Sequence, residues 1–278
     1  MLKGLGLAYA NTWVLNDPYP KSESKENIYY SSFSEQPKTL DPALSYSLNE
    51  YLFIAQVYEP LLEYDYLLRP YQLTPLIATR MPQLRYLDAQ GKPISEGNQV
   101  SPGFSVYTIN IKKGIYYQPH PAFAKTKKGL YRFHHLPTDY LADKEINQLS
   151  DFKYSGTREL VVDDYIYQIK RLANPAVSSP IYGLMSGYIV GFKDYAKTLP
   201  GSDRYIDLRN YPLTGLKKLD DYTFEITLKG EYTQFLYWLA MSFFSPIPWE
   251  ADLFYSQSGM ADKNISLGWY PIGTGPFM

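Results

Sequence analysis

Two short alternating segments around an acidic pair constrain the fold of this chain more than any other feature. Residues 216–219 and 222–228 are separated only by Asp220 and Asp221. In the second segment one side of the alternation is apolar, namely Phe224, Ile226 and Leu228. The other side is polar, namely Thr223, Glu225 and Thr227. Alternation on both sides of a two-residue turn predicts a β-hairpin with one buried face.

Further strands are indicated elsewhere by the same kind of pattern. Residues 100–111 alternate and end at a Lys-Lys-Gly turn, with Tyr107, Ile109 and Ile111 on one face. A second strand is predicted directly after it, at residues 115–118. Near the start of the chain, the β-prone residues 28–33 predict a short strand before the first prolines.

Helices are indicated by apolar residues at helical spacing. The run at 48–61 keeps that spacing until Pro60 ends it, and residues 162–172 carry an i, i+3/4, i+7 stripe. Asp163 or Asp164 is the predicted N-cap of the second helix.

Two further helices are predicted over 183–197 and 231–241, and an inserted loop with at most one short helix over 119–160. This interleaving of strands and helices predicts an α/β or mixed α+β fold.

The first ten residues, MLKGLGLAYA, resemble the last part of a secretory leader. Lys3 precedes several leucines, and small residues follow at Ala8 and Ala10. The apolar stretch is too short for a working signal, so a clipped leader is predicted, with a mature chain from near Asn11 and a flexible opening segment after it.

Composition argues against several function classes. Lys and Arg total 27 and Asp and Glu total 28, so the formal net charge of −1 supplies no field for nucleic acid. The absence of cysteine removes disulfides, thiolate metal sites, a thiol nucleophile and an acyl anchor on this chain. The sequence contains no run of 18 or more apolar residues, so no membrane span is predicted. The 29 tyrosines suit a cleft that contacts ligands of mixed polarity, or a tyrosine-rich β-protein without a cleft.

No motif in the chain predicts covalent chemistry. His120, His134 and His135 are the only imidazoles, no G-x-S-x-G elbow is present, and adjacent histidines point in different directions. The acidic pairs fall where capping and turn chemistry explain them. The G-T-G-P sequence at 273–276 lacks the residues of a phosphate loop and predicts a backbone bend.

Six segments, in chain order, resemble segments of the family 5 periplasmic solute-binding proteins, which are peptide and oligopeptide receptors of ABC importers. They are S-E-Q-P-K-T-L-D-P at 34–42, V-Y-E-P-L at 57–61, the strand at 104–114, the helix and turn at 161–175, the hairpin at 220–228 and P-I-G-T-G-P-F at 271–277. The sequence departs from the family at 117–120, where Y-Q-P-H replaces an F-S-D-G element, and in the longer segment at 119–160.

The resemblance implies the first lobe of a type II periplasmic-binding-protein-like fold, incomplete without a second lobe. Residues 27–44 and 215–278 would form the core part of this lobe, and residues 45–214 an accessory part with the insertion near 119–160. Residues 1–26 would be the leader remnant and opening segment. In this fold the ligand lies between the lobes, so the chain would supply half of a cleft.

The resemblance also nominates residues that face the cleft, after the L-D-P and N-P turns. These are Ser45, Tyr46, Ser47, Ser179, Pro180, Ile181 and Tyr182. Hydroxyl and tyrosine side chains provide hydrogen bonds and apolar walls for a peptide. Gly273, Thr274 and Gly275 would form a hinge at the crossover between lobes. No catalytic residue, metal or cofactor is implied.

The predicted function is capture of a peptide or peptide-like solute by a periplasmic monomer that serves an ABC permease, with no enzyme activity and no nucleic-acid partner. Two alternatives stay open at this point. One is a secreted hydrolase that uses a histidine with a serine or carboxylate, and the other is a non-functional truncated binding protein.

Overall fold

The computed structural model describes residues 22, 32–33, 35–95, 101–201 and 205–277. The chain separates into two units, residues 1–35 and 36–278, and every element named below lies in the second. The predicted leader, the opening segment and most of the strand at 28–33 fall outside the described residues. Ser32 and Phe33 are described, and neither is in a strand.

An antiparallel sheet of four strands, in the order β3-β4-β6-β5, lies at the centre of the second unit. Its strands are β3 (Gln83–Leu87), β4 (Phe104–Asn110), β5 (Leu216–Asp220) and β6 (Thr223–Lys229). A separate antiparallel pair consists of β1 (Leu62–Tyr64) and β2 (Leu73–Pro75). The predicted hairpin is therefore confirmed as β5 and β6, which pair directly.

The buried face of the sheet is the one that alternation predicts. Tyr107 of β4 lies opposite Ile226 of β6, and Ile109 lies opposite Phe224. All four side chains are buried. Burial of this apolar face supplies much of the driving force for folding around the sheet. The strand predicted at 115–118 is wrong in extent, because only a single bridge forms there.

The opposite face of β6 carries a buried carboxylate that alternation assigns to solvent. Glu225 is 7% exposed and accepts hydrogen bonds from Arg85 of β3, at 2.7 Å from Nη1 and 3.0 Å from Nη2. Thr108 Oγ1 donates a third, at 3.2 Å. This bidentate contact reaches across β4 and explains why a charged residue can be buried on the polar face of the sheet.

Seven α-helices occur in the part of the chain that the structure describes. They are α1 (Leu48–Val57), α2 (Tyr140–Asp143), α3 (Val162–Ala173), α4 (Tyr182–Tyr188), α5 (Phe192–Thr198), α6 (Phe235–Trp238) and α7 (Trp249–Tyr255). Short 3₁₀ turns lie at Pro121–Phe123, Leu149–Asp151, Leu208–Asn210, Ser242–Phe244 and Ala261–Lys263. None of these helices combines the length and apolarity that a bilayer crossing needs.

Helix α3 packs on the sheet, and its stripe is confirmed. Tyr165 stacks on Phe224 with ring centroids 6.1 Å apart. The predicted cap is wrong, since Val161 is the N-cap and the two aspartates occupy the first turn. Asp164 accepts a hydrogen bond from the Val161 amide at 3.2 Å, and its carboxylate also binds Arg158 at 2.6 Å. Asp164 therefore serves the N-terminus of α3 from the third helical position, while its carboxylate also pairs with Arg158.

The helix predicted at 183–197 is two helices, because the chain turns sharply at Gly191. This glycine has φ of 72°, and a Cβ there would lie 2.0 Å from Thr214 Oγ1. Only glycine meets both requirements without strain. The helix predicted at 231–241 shortens to α6, whereas α7 follows Pro248 at a position with no helix prediction.

The segment predicted as an inserted loop at 119–160 packs around a small core of its own. Phe133 and Phe152 lie edge to face with centroids 5.0 Å apart, and Phe152 contacts Phe254 of α7 at 5.1 Å. Buried residues of this second core come from both the insertion and α7. The insertion is thus a packed part of the fold, with α2 and two 3₁₀ turns.

A buried ion pair ties the start of the described chain to α3. Arg171 donates to Asp41 at 2.6 Å from Nη2 and 3.0 Å from Nη1. Both side chains are largely hidden from solvent. Asp41 is the aspartate of the L-D-P sequence, so this sequence anchors residues 40–42 beside the helix.

Candidate functional site

An open cavity of about 540 Å³ lies beside the C-terminal half of α1. We call it the aromatic cavity, since aromatic rings form much of its wall. Its lining residues are Leu40, Phe53, Gln56, Val57, Gln118, Pro119, His120, Leu149, Trp269, Tyr270, Pro271, Ile272 and Phe277. A volume of this size is within the range of about 300 to 1,000 Å³ that is usual for small-ligand sites.

The wall next to α1 depends on two glycines. A Cβ on Gly273 would lie 1.9 Å from the Val57 carbonyl oxygen, and one on Gly275 would lie 2.6 Å from that of Gln56. The Gly275 amide donates to the Val57 oxygen at 2.9 Å, which satisfies a carbonyl at the end of the helix. The G-T-G-P sequence therefore lies tightly against the end of α1, and the chain bends within it, at residues 274–276.

Gln118 connects the insertion to the same wall. Its backbone amide donates to the Gly273 carbonyl at 3.1 Å. Its side-chain Nε2 donates to the carbonyls of Gly275 (2.9 Å) and Phe277. One side chain thus holds two carbonyls of the 273–277 segment. The position corresponds to the Y-Q-P-H departure from the family pattern.

His120 also lines the aromatic cavity and is not poised for proton transfer. Its Nδ1 accepts from the Ala122 amide at 3.0 Å, so the proton resides on Nε2, which lies 2.7 Å from Tyr255 Oη. Tyr255 in turn donates to the Tyr270 carbonyl at 2.6 Å. Burial lowers the pKa of His120 to about 3, which keeps the ring neutral.

The predicted site residues after the L-D-P turn surround a carboxylate of α1. Glu50 Oε2 accepts from Ser45 Oγ and from the amides of Tyr46 and Ser47, each at 3.0 Å. Burial alone would raise the pKa of Glu50, but hydrogen bonds from Ser47, Tyr46 and Ser45 outweigh it and lower the pKa. Ser47 also caps α1. The ring of Tyr46 is 74% exposed and lies 6.2 Å from that of Phe243.

The predicted residues after the N-P turn lie against another part of the core. Ser179 and Ile181 are buried, and Pro180 is exposed. Tyr182 begins α4 and packs on Phe192 with ring centroids 5.8 Å apart. None of the seven predicted ligand-binding residues lines the aromatic cavity. Their role in binding stays a prediction.

Sequence reasoning missed the residues that form the cavity wall. Phe53, Trp269 and Tyr270 were not singled out, Phe277 entered only as the last residue of the P-I-G-T-G-P-F segment, and only the tyrosine-rich composition pointed toward an aromatic wall. Their proximity requires α1, the insertion and the last described segment to meet. No local sequence pattern indicates that these three segments come together.

A metal centre is not formed by the described side chains. No group of three or more His, Asp or Glu residues comes close enough there to hold an ion. His134 Nε2 lies 2.9 Å from the Ala122 carbonyl oxygen, and its ring stacks on Tyr131 at 4.2 Å. His120 and His134 thus have partners other than a serine or a carboxylate.

Comparisons with known proteins find similarity to bacterial solute-binding proteins. The profile described as bacterial extracellular solute-binding proteins, family 5 middle, matches residues 150–278. The periplasmic oligopeptide-binding protein OppA of Salmonella typhimurium is 33% identical over 97 residues, which cover 34% of this chain and 16% of that protein.

Two solved structures share the fold. The periplasmic binding protein DppA from Helicobacter pylori, in complex with the peptide STSA, has a TM-score of 0.50 and 22% identity, covering 87% of this chain and 34% of its own. The murein tripeptide binding protein MppA of Escherichia coli has a TM-score of 0.50 and 16% identity, covering 87% and 33%. The chain thus spans 16% of the curated relative and about a third of the solved ones.

These likenesses confirm the mixed α/β fold class, as part of a type II periplasmic-binding-protein-like fold. The family match covers α3, the β5–β6 hairpin and the G-T-G-P segment, which are three of the six segments that carry the sequence resemblance. Residues 150–278 of the chain are therefore similar to the family 5 bacterial extracellular solute-binding proteins.

Proposed function

We propose that this protein captures peptides or peptide-like solutes outside the cytoplasm and delivers them to the permease of an ABC importer. The observation that carries the proposal is the family match at residues 150–278, a segment that supplies one wall of the open aromatic cavity. The proposal includes a periplasmic monomer that performs no covalent chemistry.

The chemistry of the aromatic cavity favours a peptide-like ligand. Trp269 and Phe277 are 42% and 58% exposed, so large apolar surfaces are available to a solute. Gln56, Gln118 and Tyr270 add polar side chains to the lining. Apolar walls with a few placed polar groups are typical of sites that bind small ligands of mixed polarity.

The predicted cleft and hinge belong to this proposal. Ser45–Ser47 and Ser179–Tyr182 would contact the solute from two turns, and Gly273–Gly275 would take up rotation between lobes. The proposed core part of the lobe consists of residues 27–44 and 215–278, and the proposed accessory part consists of residues 45–214. Each part contributes two strands to the central sheet.

Calorimetric titration with a mixture of tri- to pentapeptides, followed by mass spectrometry of the retained species, tests the proposal. We expect saturable binding that Trp269→Ala weakens by about tenfold, because a half-exposed indole is a common anchor for ligands. Tyr116→Ala removes an aromatic ring of similar exposure outside the cavity and should leave binding unchanged. Retention of no peptide from the mixture would refute the peptide assignment.

A further inference from the structure

A second, smaller cavity of about 280 Å³ lies along the other side of α1. We call it the tyrosine–glutamate cavity, and the residues on which the argument depends are Tyr51, Glu59, Glu63 and Tyr64. Ala55 of α1 and Glu59, just beyond the helix, line this cavity, whereas Gln56 and Val57 of α1 line the aromatic cavity. The two cavities are therefore neighbours.

The carboxylates of this cavity lack partners. Glu59 is half-buried and Glu63 is exposed, and neither carboxylate has a hydrogen bond or ion pair within the described residues. The lining contains no lysine, arginine or histidine. Two uncompensated negative charges in a concave, partly desolvated site create a potential that attracts a cation.

Tyrosine faces complete a site for a cation. Tyr51 is 50% exposed and Tyr64 is 47% exposed, so both rings can be reached. Tyr64 stacks on Tyr237 with centroids 6.2 Å apart and meets Tyr71 edge to face at 6.2 Å. These contacts hold the Tyr64 ring in place, and a cation over such a ring gains from the negative π face.

The rest of the lining suits an alkyl chain. Ala55, Leu76 and Ala240 add apolar residues to the lining. The volume lies just below the range of about 300 to 1,000 Å³ that drug-sized ligands occupy, so it suits one long side chain rather than a whole peptide. An apolar stem with a cationic head matches both features.

We infer that the tyrosine–glutamate cavity is a subsite for an alkylammonium group, such as the side chain of lysine. The inference rests on the proposed function in one respect, since the ammonium group would belong to a captured peptide whose other part occupies the aromatic cavity.

NMR titration of the ¹⁵N-labelled protein with n-butylammonium chloride tests the subsite without a peptide, and n-butanol at equal ionic strength is the uncharged match. We expect saturable amide shifts at Tyr51, Ala55, Glu63 and Tyr64 for the cation, with binding of butanol about fivefold to tenfold weaker. The double variant E59Q/E63Q should abolish the difference. Glu145→Gln, which neutralises an exposed glutamate elsewhere, should preserve it.

Absence of cation-specific shifts, or their persistence in E59Q/E63Q, would overturn the inference. A pair of peptides, Ala-Lys-Ala and its Nε-acetyllysine counterpart, then separates the two proposals. Equal binding of both peptides supports the proposed function and rejects the subsite as a peptide site. Saturable butylammonium binding without any peptide binding supports the cation site and rejects the proposed function.

Discussion

The two cavities that flank α1 differ in how their polar groups are satisfied. Around the aromatic cavity, His120 and Gln118 spend their hydrogen bonds on neighbouring protein atoms. In the tyrosine–glutamate cavity, the carboxylates of Glu59 and Glu63 have no partner among the described residues. The first arrangement builds a rigid wall, and the second leaves charge available to a ligand. Polar groups that are hydrogen-bonded within the protein thus stabilise the fold, whereas carboxylates without a partner are candidates for ligand binding.

The largest effect is expected from a substitution that disrupts the wall of the aromatic cavity. Gly273→Ala places a methyl group against the Val57 carbonyl oxygen, so we expect a loss of about 3 kcal/mol or more in the free energy of unfolding. Gly187→Ala is the matched control, because a Cβ there meets nothing within 4 Å and the residue lies in α4. That change should be neutral or stabilise by up to about 1 kcal/mol.

Urea denaturation of both glycine variants provides the measurement. Equal stability of the two would contradict the close packing of the 273–275 segment against α1.

The second prediction concerns the neutral histidine in the same wall. The folded pKa of His120, about 3, lies below its ordinary value of 6.5, so the unfolded chain binds the extra proton between these values. Stability should fall as pH decreases through this window, by roughly 1.4 kcal/mol per pH unit at most.

Denaturation at pH 7, 6, 5 and 4 measures that slope. His120→Gln removes the titrating group and should flatten the slope, while His135→Gln, on an exposed side chain, should keep it. A slope that is identical in wild type and H120Q would show that His120 is not buried in the neutral form.

The smallest effects are expected from two substitutions that compare a hydrogen-bonded carboxylate with one that has no partner among the described residues. Glu50→Gln weakens the hydrogen bonds from Ser45, Tyr46 and Ser47 and should cost about 1 kcal/mol, as the loss of a helix cap usually does. Glu63→Gln removes a charge without a partner and should change stability by less than about 0.5 kcal/mol.

Thermal denaturation of the two glutamate variants compares these costs. A larger loss for Glu63→Gln than for Glu50→Gln would mean that Glu63 has a structural partner.

Local patterns predicted much of the secondary structure. Alternation correctly indicated β5 and β6, and helical spacing correctly indicated α1 and α3. Predictions weakened where a tertiary contact overrides the local signal. The break at Gly191 coincides with its close approach to Thr214, and at the start of α3 the carboxylate of Asp164 both accepts from the Val161 amide and pairs with Arg158.

The candidate site was less predictable than the fold. The sequence resemblance nominated Ser45–Ser47 and Ser179–Tyr182, and these residues lie outside the lining of the aromatic cavity. The wall of that cavity joins residues far apart in the chain, as in the contact between His120 and Tyr255. No periodicity encodes such a contact, because periodicity reports only which face of one element is apolar.

The sequence by itself determined the interleaved strands and helices, the sheet's buried face and the family resemblance, since each follows from the spacing of side chains along a few turns or strands. Only the tertiary structure decided why residues 273 and 275 must be glycine, why His120 stays neutral, and where charge is left without a partner. The physical reason is that close approach, desolvation and hydrogen-bond satisfaction depend on the neighbours that folding brings together from distant parts of the chain.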